Sequence, residues 1–586
     1  MPRKKRFSRI DIYCNMTVYS YSQSSFNFYL ARNTSSRGAR NMVRVLENRF
    51  YYLDNFLAVV ASVRARYRHL LDGEEQAFVD GFEALPLASR ALLVRMVMRK
   101  GELFRSSRLR YDEIGCARSA AAPLIAAGWL DGEPAIDIAQ LCGLLTKTEL
   151  AEAFPLLPRS ARKAGQLDIL RDEYGDAVRT LAGWRIDDQL LRLSIAPLCD
   201  RLRLMFFGNL HQDWSEFVLS ELGIFRYEQV DLSLAQGFSS RQDIDDYLHL
   251  HACRQRFHDG EAPQAVAACL PAMPYPNDWL EQRRSKLLFQ IAQYYERSAE
   301  LVAALCLYAD CAWPGARLRA IRVLERCGQP DAAFGLAQQA EQQPESEAEK
   351  QQLLRVMPRL RRQLGHGKTL QAAAAPIVRH DLALQRAAPG VSVEALLASH
   401  LSRIDAPAVY VENTLINSLF GLLFWDAVFA PLPGAFFHPF QSGPADLHSA
   451  DFRLRRASQF DAGFAQLDSG GYQQAIWRNF HAKAGIQSPF VFWEAIDEQL
   501  LAMALDCLPP LHLRKCFERI LQDIKTNRSG LPDLIQFWPA EKRYQMIEVK
   551  GPGDRLQDNQ IRWLHYFAEH GMPVAVCYVQ WAEQCA

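Results

Sequence analysis

A chain of 586 residues, about half of them apolar, is too long for a single core and holds several domains. Its 67 Lys and Arg balance 66 Asp and Glu, which excludes a globally basic nucleic-acid wrapper and confines any such surface to a local patch. Thirteen cysteines include no C-x-x-C pair, and the closest two are Cys306 and Cys311, a spacing that suits neither a zinc finger nor a redox dithiol and favours a reducing cytoplasm.

The chain opens with the basic run Met1-Pro-Arg-Lys-Lys-Arg-Phe, followed by polar residues rather than the apolar core of a secretory signal. No stretch reaches the roughly 18 uninterrupted apolar residues of a membrane helix, so no membrane partner is expected. Residues 1–45, with the Ser/Arg/Gly cluster Asn33 to Arg40, read as a basic, polar tail, either mobile or an upstream extension, the alternative being a DNA-touching arm.

Residues 46–255 read as a helical DNA-binding region. Leu92, Leu93, Met96 and Val97 mark one buried helical face. Arg90, Arg95, Arg99, Lys100, Arg105, Arg108, Arg110 and Arg118 make the same stretch basic, with only Glu102, Asp112 and Glu113 opposing them. Tyr111 to Gly115 and then Ala121 to Gly128 read as short helix, turn, helix, which suits a winged-helix-like module; the alternative is a plain bundle with a solvated charged face. Further on, Thr146 and Glu149 stand at capping-box spacing. The segment Leu144-Leu-Thr-Lys-Thr-Glu-Leu resembles the SAP module, a small DNA-binding helix–loop–helix.

Residues 256–370 are rich in Ala, Leu, Gln and Arg. The amphipathic segments starting at Ile291, Leu301 and Ala316 follow one another like degenerate tetratricopeptide pairs, which bind proteins or act as spacers. The polar run Glu341 to Lys350, and later Gly365, His366 and Lys368, predict a break before the last domain, 371–586.

That last domain carries the chemistry. Gly530-Leu-Pro-Asp533 feeds a strand, Pro539 to Arg543 forms a hairpin turn, and Tyr544 to Lys550 returns. Strand alternation puts Glu548 and Lys550 on one face and Val549 in the core. The hairpin lets Asp533 approach them. Two carboxylates and a lysine at a strand edge can hold a divalent cation and position a water. The Asp–x14–Glu–x–Lys spacing matches the PD-(D/E)xK nuclease pattern. An amphipathic helix carrying Gln560 and a buried strand from Met572 complete the order of an α/β core. The fold class is therefore a multidomain chain, mostly α-helical up to the repeats, then an α/β PD-(D/E)xK-type nuclease domain.

Gly530-Leu-Pro-Asp-Leu, Ile547-Glu-Val-Lys-Gly and Gln560-x-x-Trp-Leu resemble the virus-type replication–repair nuclease domain. Val411 to Asp426 and Pro439 to Leu447 are similar to the opening of that domain in the Fanconi-anaemia-associated nucleases, and the order of modules from about residue 46 resembles a bacterial member of that family. The resemblance implies that Glu412, which otherwise reads as an acid favouring a helix dipole, joins Asp533, Glu548 and the Val549 carbonyl at the metal. Gln560 is a possible support. Hard oxygen ligands call for one or two Mg2+ or Mn2+ ions. The family implies cleavage of 5′ flaps and branched DNA, 5′-to-3′ exonuclease action and a place in interstrand crosslink repair, in the cytoplasm at the nucleoid. Competing readings are a junction-resolvase or restriction-type nuclease and a non-catalytic DNA-binding scaffold. Asp426 reads as structural, and His438 as a turn histidine. For gripping duplex phosphates, Arg90, Arg95, Arg99, Lys100, Arg105 and Arg108 are the candidates, together with Arg159, Arg162 and Lys163. Arg95 is the expected receiver of a flap's 5′-phosphate; the alternative is a solvent-exposed helix decoration.

Overall fold

The computed structural model describes residues 48–582, except 159–160, 213, 215, 218–219, 221–224, 233–236, 368–375 and 387–389. Arg159 and the whole of the predicted N-terminal tail lie outside the described residues. The N-terminal region packs helices α1 (Tyr51–Tyr67) and α2 (Leu87–Val97) around Phe56, Phe78, Phe82 and Leu93, all essentially solvent-free. A small antiparallel sheet adjoins them: β1 (Leu103–Arg105), β2 (Leu130–Asp131) and β3 (Leu190–Leu193), in the order β1-β3-β2.

The helix–turn–helix reading needs one correction. Tyr111 to Gly115 is a turn and not a short helix, closed by Ile114 and Gly115 N–H bonds to the Tyr111 carbonyl. A 3-10 turn, Ser106–Arg108, separates it from β1, and α3 (Ala117–Ala126) follows. The capping box is present. Thr146 Oγ1 accepts from Glu149 N at 3.3 Å while Glu149 Oε2 accepts from Thr146 N at 2.7 Å, starting α4 (Lys147–Ala153). The next helix is α5 (Lys163–Tyr174).

Helices α6 (Ala196–Phe207) and α7 (Arg241–His258) lead into the repeat region. There α8 (Asp278–Arg297), α9 (Leu301–Ala309), α10 (Ala316–Arg326), α11 (Pro330–Gln342) and α12 (Glu347–Gln363) each pack on the next. Small residues Ala304, Ala320, Ala333 and Ala337 sit fully buried where the helices touch, so close approach is what the alanine-rich composition provides. The polar run Glu341 to Lys350 spans only the bend between α11 and the start of α12. The stack continues through α12 and reaches the last domain.

That domain is a mixed five-stranded sheet in the order β4-β8-β7-β6-β5, built from β4 (Val378–Leu384), β5 (Ala408–Tyr410), β6 (Leu534–Trp538), β7 (Arg543–Lys550) and β8 (Val574–Trp581). β6 and β7 form the expected hairpin, Leu534 opposite Ile547 and Trp538 opposite Arg543, while β7 and β8 run parallel. Both faces are covered, which is why the strands read as almost unbroken apolar runs. On one face Leu534, Ile547, Val549, Cys577 and Val579 pack under α13 (Val393–Leu401) through Leu397. On the other, Ile535, Phe537, Met546 and Val576 meet α14 (Leu415–Leu423) and α15 (Asp558–Glu569) through Leu419, Phe420, Trp563 and Phe567.

The repeat stack is clasped to the nuclease sheet. Arg355 and Gln352 of α12 hold Asp558 at the start of α15 at 3.0 and 2.6 Å, and Arg562 donates to Gln351 at 2.7 Å. The N-terminal region meets the same domain at His438, 1% exposed and packed against Phe206 and Phe207. Its Nδ1 accepts from Phe440 N at 3.2 Å, and its Nε2 lies 3.1 Å from Gln212 Oε1. Desolvation, then the nearby Arg66 charge, push it down to about 3, so this turn histidine stays neutral. Asp426 is exposed one residue beyond buried Trp425.

Candidate active site

Asp533 immediately precedes β6, and Glu548 and Lys550 are the alternate residues at the end of β7, so the hairpin brings all three to one edge. They are 6, 0 and 8% exposed respectively, an uncommon fate for charged groups without a compensating function. Asp533 Oδ2 accepts from the Val549 backbone N at 2.8 Å, which fixes the carboxylate across the hairpin. Lys550 Nζ stands 2.6 Å from Glu548 Oε1 as an ion pair, and Glu548 Oε2 has no protein partner among the described residues.

Glu412 arrives by another route. It lies in a turn between β5 and α14, just ahead of the helix whose dipole it is read as favouring. The next residue, Asn413, adopts a left-handed φ of 53°, and its Oδ1 accepts from Leu531 N at 3.1 Å. Val411 N donates to the Asp533 carbonyl at 2.8 Å. The turn is thus bolted to the segment that carries Asp533. Tyr410 OH and Asn413 Nδ2 hold the Glu412 carboxylate, at 2.5 and 3.2 Å. Gly530, at φ +88°, permits the approach of β6, because a Cβ there would come within 2.7 Å of Asn559.

The electrostatics of the cluster follow from burial and crowding. Desolvation raises Glu548 to about 8, with the Asp533 and Glu412 charges adding to it and Lys550 opposing. Desolvation likewise raises Asp533 to about 6, countered by the Val549 N–H and reinforced by Glu412. Among the described residues, no three acidic, histidine or cysteine side chains stand close enough to cage a cation as they are placed. The like-charged carboxylates instead take up Tyr410, Asn413, Val549 and Lys550. The donor set still fits a hard divalent ion: it is all oxygen, buried, and includes the orphaned Glu548 Oε2. Gln560 does something else, its Oε1 accepting from Gln557 N at 2.8 Å to cap α15.

The predicted basic grip is only partly exposed. Arg105 is buried, bonded to Asp188 at 2.9 Å and Glu149 at 2.8 Å, so it ties the sheet to α4 and is removed from the list of phosphate contacts. Arg108 is exposed but shares Glu149 at 2.9 Å. Arg95 is not a solvated decoration. Its guanidinium lies 3.8 Å from the Tyr52 ring and 4.9 Å from Tyr111, with Glu113 at 2.7 Å. Arg90 is half-buried, whereas Arg99, Lys100, Arg162 and Lys163 are exposed; Lys163 Nζ donates to the Leu145 carbonyl at 2.7 Å.

A second cationic surface escaped the sequence reading. Arg254 on α7, Arg283 and Lys286 on α8, and Lys525 in the short helix Ile524–Asn527 form a seam. Desolvation first, then Arg254, Lys525 and Arg283, depress the Lys286 ammonium. His211 is pushed down to about 4 by burial and then by Arg283 and Arg254. The Lys286 and Lys525 ammonium groups lie 5.6 and 4.5 Å from the Trp313 ring. From Arg254 to Lys525 the seam draws on residues 271 positions apart in sequence. The only local signal was the run Arg283-Arg284-Ser285-Lys286.

The hairpin with its following helix and strand falls within residues 468–581, which match the VRR-NUC domain. Residues 50–131 match the FAN1 HTH domain and residues 135–184 the Fanconi anemia-associated nuclease SAP domain. The chain is 55% identical over 537 residues to the Fanconi-associated nuclease 1 homolog of Pseudomonas aeruginosa, covering 91% of this chain and 96% of that one. The Arabidopsis thaliana homolog is 24% identical over 90% of this chain and 67% of its own length. A crystal structure of paFAN1 bound to DNA with a two-nucleotide 5′ flap and a gap superposes with a TM-score of 0.88 at 54% identity, covering 92% of this chain and all of that one. The chain belongs to the Fanconi-associated nuclease 1 family and is a DNA-cleaving hydrolase. Nucleases of the VRR-NUC class depend on a divalent metal. Among the described residues, no helix is long and apolar enough to cross a membrane.

Proposed function

We propose that this nuclease cuts 5′-flapped and branched DNA, and trims it 5′ to 3′, through a centre made of Asp533, Glu548, Lys550 and Glu412. The observation that carries the reading is the convergence of Asp533 and Glu412 on the buried Glu548–Lys550 pair. Asp533, Glu548, Glu412 and the Val549 carbonyl would hold one or two Mg2+ or Mn2+ ions. Such an ion, when bound, lowers the pKa of a water and offsets charge on the phosphate. The Val549 N–H fixes Asp533 through Oδ2, which leaves its Oδ1 for ligation. Lys550 presents its ammonium where it can orient the attacking water or neutralise a phosphate oxygen. Glu548 positions that ammonium. The buried hairpin keeps these groups from being screened by bulk solvent.

The substrate reading rests on one relative, paFAN1, captured with one- and two-nucleotide 5′ flaps, and on a seam of cations from α7 to Lys525, eight residues ahead of Asp533. No base-reading element is needed for such contacts, which position a duplex without reading sequence. The helical repeats carry much of this seam, so we assign them to DNA before any partner protein. A role in interstrand crosslink repair on the bacterial nucleoid follows from the family. The test is cleavage of flap, junction and linear duplex with Mg2+, Mn2+ or EDTA. Flap cutting that needs the metal and falls at least about a thousandfold in Lys550→Ala, with flap binding retained, is the expected result. Near-normal cutting by Lys550→Ala would falsify the centre.

A further inference from the structure

We infer that Cys253 and Cys269 form a redox-sensitive dithiol that a peroxide closes to a disulfide. No C-x-x-C spacing announces the pair; the packing of α7 against the short helix Pro263–Ala268 makes it. His249, Cys253 and Arg256 stand at spacings of four and three on α7 and share one face. Cys269 lies against that face at both ends. Its carbonyl is 2.7 Å from His249 Nε2, and its sulfur accepts from Arg256 Nη1 at 3.3 Å. Cys253 sits between these two anchors, its sulfur 3.6 Å from the same His249 Nε2. One ring nitrogen therefore touches both cysteine residues, and both thiols are free.

The two thiols differ as an attacking and a resolving cysteine must. Cys253 is 1% exposed, within the apolar core that Leu287 and Ile291 of α8 complete. Burial raises its thiol above the ordinary range, and the adjoining Cys269 adds to this. Cys269 is half-buried, open to a small oxidant, and faces a guanidinium. Arg256 gives Nε and Nη2 to Glu261, at 2.6 and 2.5 Å, which aims the remaining Nη1 at the Cys269 sulfur. The thiolate is the nucleophile, and a fixed cation beside sulfur favours it. A carbonyl only accepts, so His249 Nε2 carries a proton and shares that N–H with the Cys253 sulfur.

The Cys269 thiolate attacks one oxygen of hydrogen peroxide. The S–O bond forms, the O–O bond breaks, and hydroxide leaves to take up a proton as water. Cys253 then attacks the sulfenic sulfur. The S–S bond forms, the S–O bond breaks, and the hydroxyl leaves with the Cys253 proton as a second water. The two sulfurs lose the electron pair that the peroxide gains. A thiol reductant reverses the bond, so the site is a sensor and not a staple. The bond joins α7 to the connection that enters α8, the helices of Arg254, Arg283 and Lys286.

The test exposes the full chain, free of reductant, to hydrogen peroxide, blocks the remaining thiols with N-ethylmaleimide and maps the digested peptides by mass. The expected product is a Cys253–Cys269 peptide pair lighter by the hydrogens lost and reversed by dithiothreitol, while the exposed Cys306 is still alkylated. Cys253→Ser should leave Cys269 as a sulfenic acid that dimedone traps; Cys253→Ala serves should the serine disturb the core. Arg256→Gln should slow closure by about tenfold. Cys253 and Cys269 both still alkylated at a dose that has oxidised Cys306 overturns the proposal, as does Cys269 paired with any other cysteine. Closure at the wild-type rate in Arg256→Gln overturns Cys269 as the attacking sulfur.

Discussion

The N-terminal arginines and the C-terminal acids are both dense clusters of one charge, yet the fold treats them oppositely. Arg95, Arg105 and Arg108 are matched by Glu113, Glu149 and Asp188, so their charge is consumed inside the domain. Asp533, Glu548 and Glu412 are left mutually repelling, with Lys550 as the cation against Glu548 and the first two raised well above the ordinary carboxylate range. In the seam, burial first and then the neighbouring cations depress Lys286, and burial first and then Arg254 depress Arg283. Paired charge holds elements together, whereas unmatched like charge awaits a ligand of the other sign.

Removing a matched charge should damage the fold most. Arg105→Ala strands the buried Asp188 and should cost about 3 kcal/mol in a urea titration. A loss under about 0.5 kcal/mol would mean that the pair is ornamental and the contrast false.

Removing an unmatched acid should do the reverse. Burial raises Glu548 above its unfolded value, so between about pH 4 and 8 the folded chain binds the extra proton. Metal-free stability from this group is therefore present at low pH and is lost as pH rises through about 8. In EDTA at pH 9, Glu548→Gln should be more stable than wild type by about 2 kcal/mol, a gain that shrinks toward pH 5. Added Mg2+ should close the gap by stabilising wild type alone. A Glu548→Gln chain melting below wild type at pH 9 would show that the carboxylate is structural.

A smaller effect is expected along the seam. Lys525→Ala should weaken flap binding by about tenfold and reduce the salt slope by about one, leaving thermal stability unchanged. An unaltered salt slope would remove Lys525 from the DNA path. The smallest concerns Arg95, whose guanidinium is committed to Tyr52, Tyr111 and Glu113. Arg95→Ala should leave any preference for a 5′-phosphorylated one-nucleotide flap intact, measured by initial cleavage rates on phosphorylated and unphosphorylated substrates. Loss of that preference would return the phosphate pocket to Arg95.

The sequence by itself determined what depends on local spacing. The β6–β7 hairpin, the shared face of Glu548 and Lys550, and the Thr146–Glu149 capping box all follow from periods of two or three residues. Neighbouring backbone geometry sets such periods whatever lies beyond. Tertiary structure alone decided which charges find partners. Arg105 meets Asp188 across 83 positions, and Lys286 and Lys525 both reach the Trp313 ring. Glu412, too, is legible only as an acid before an apolar run until the Asn413 turn bolts it to the strand of Asp533. A charged side chain has the same local signature whether it is paired, solvated or held for a ligand. The distinction lies in burial and in the sign of groups from distant parts of the chain, which only the packed fold sets.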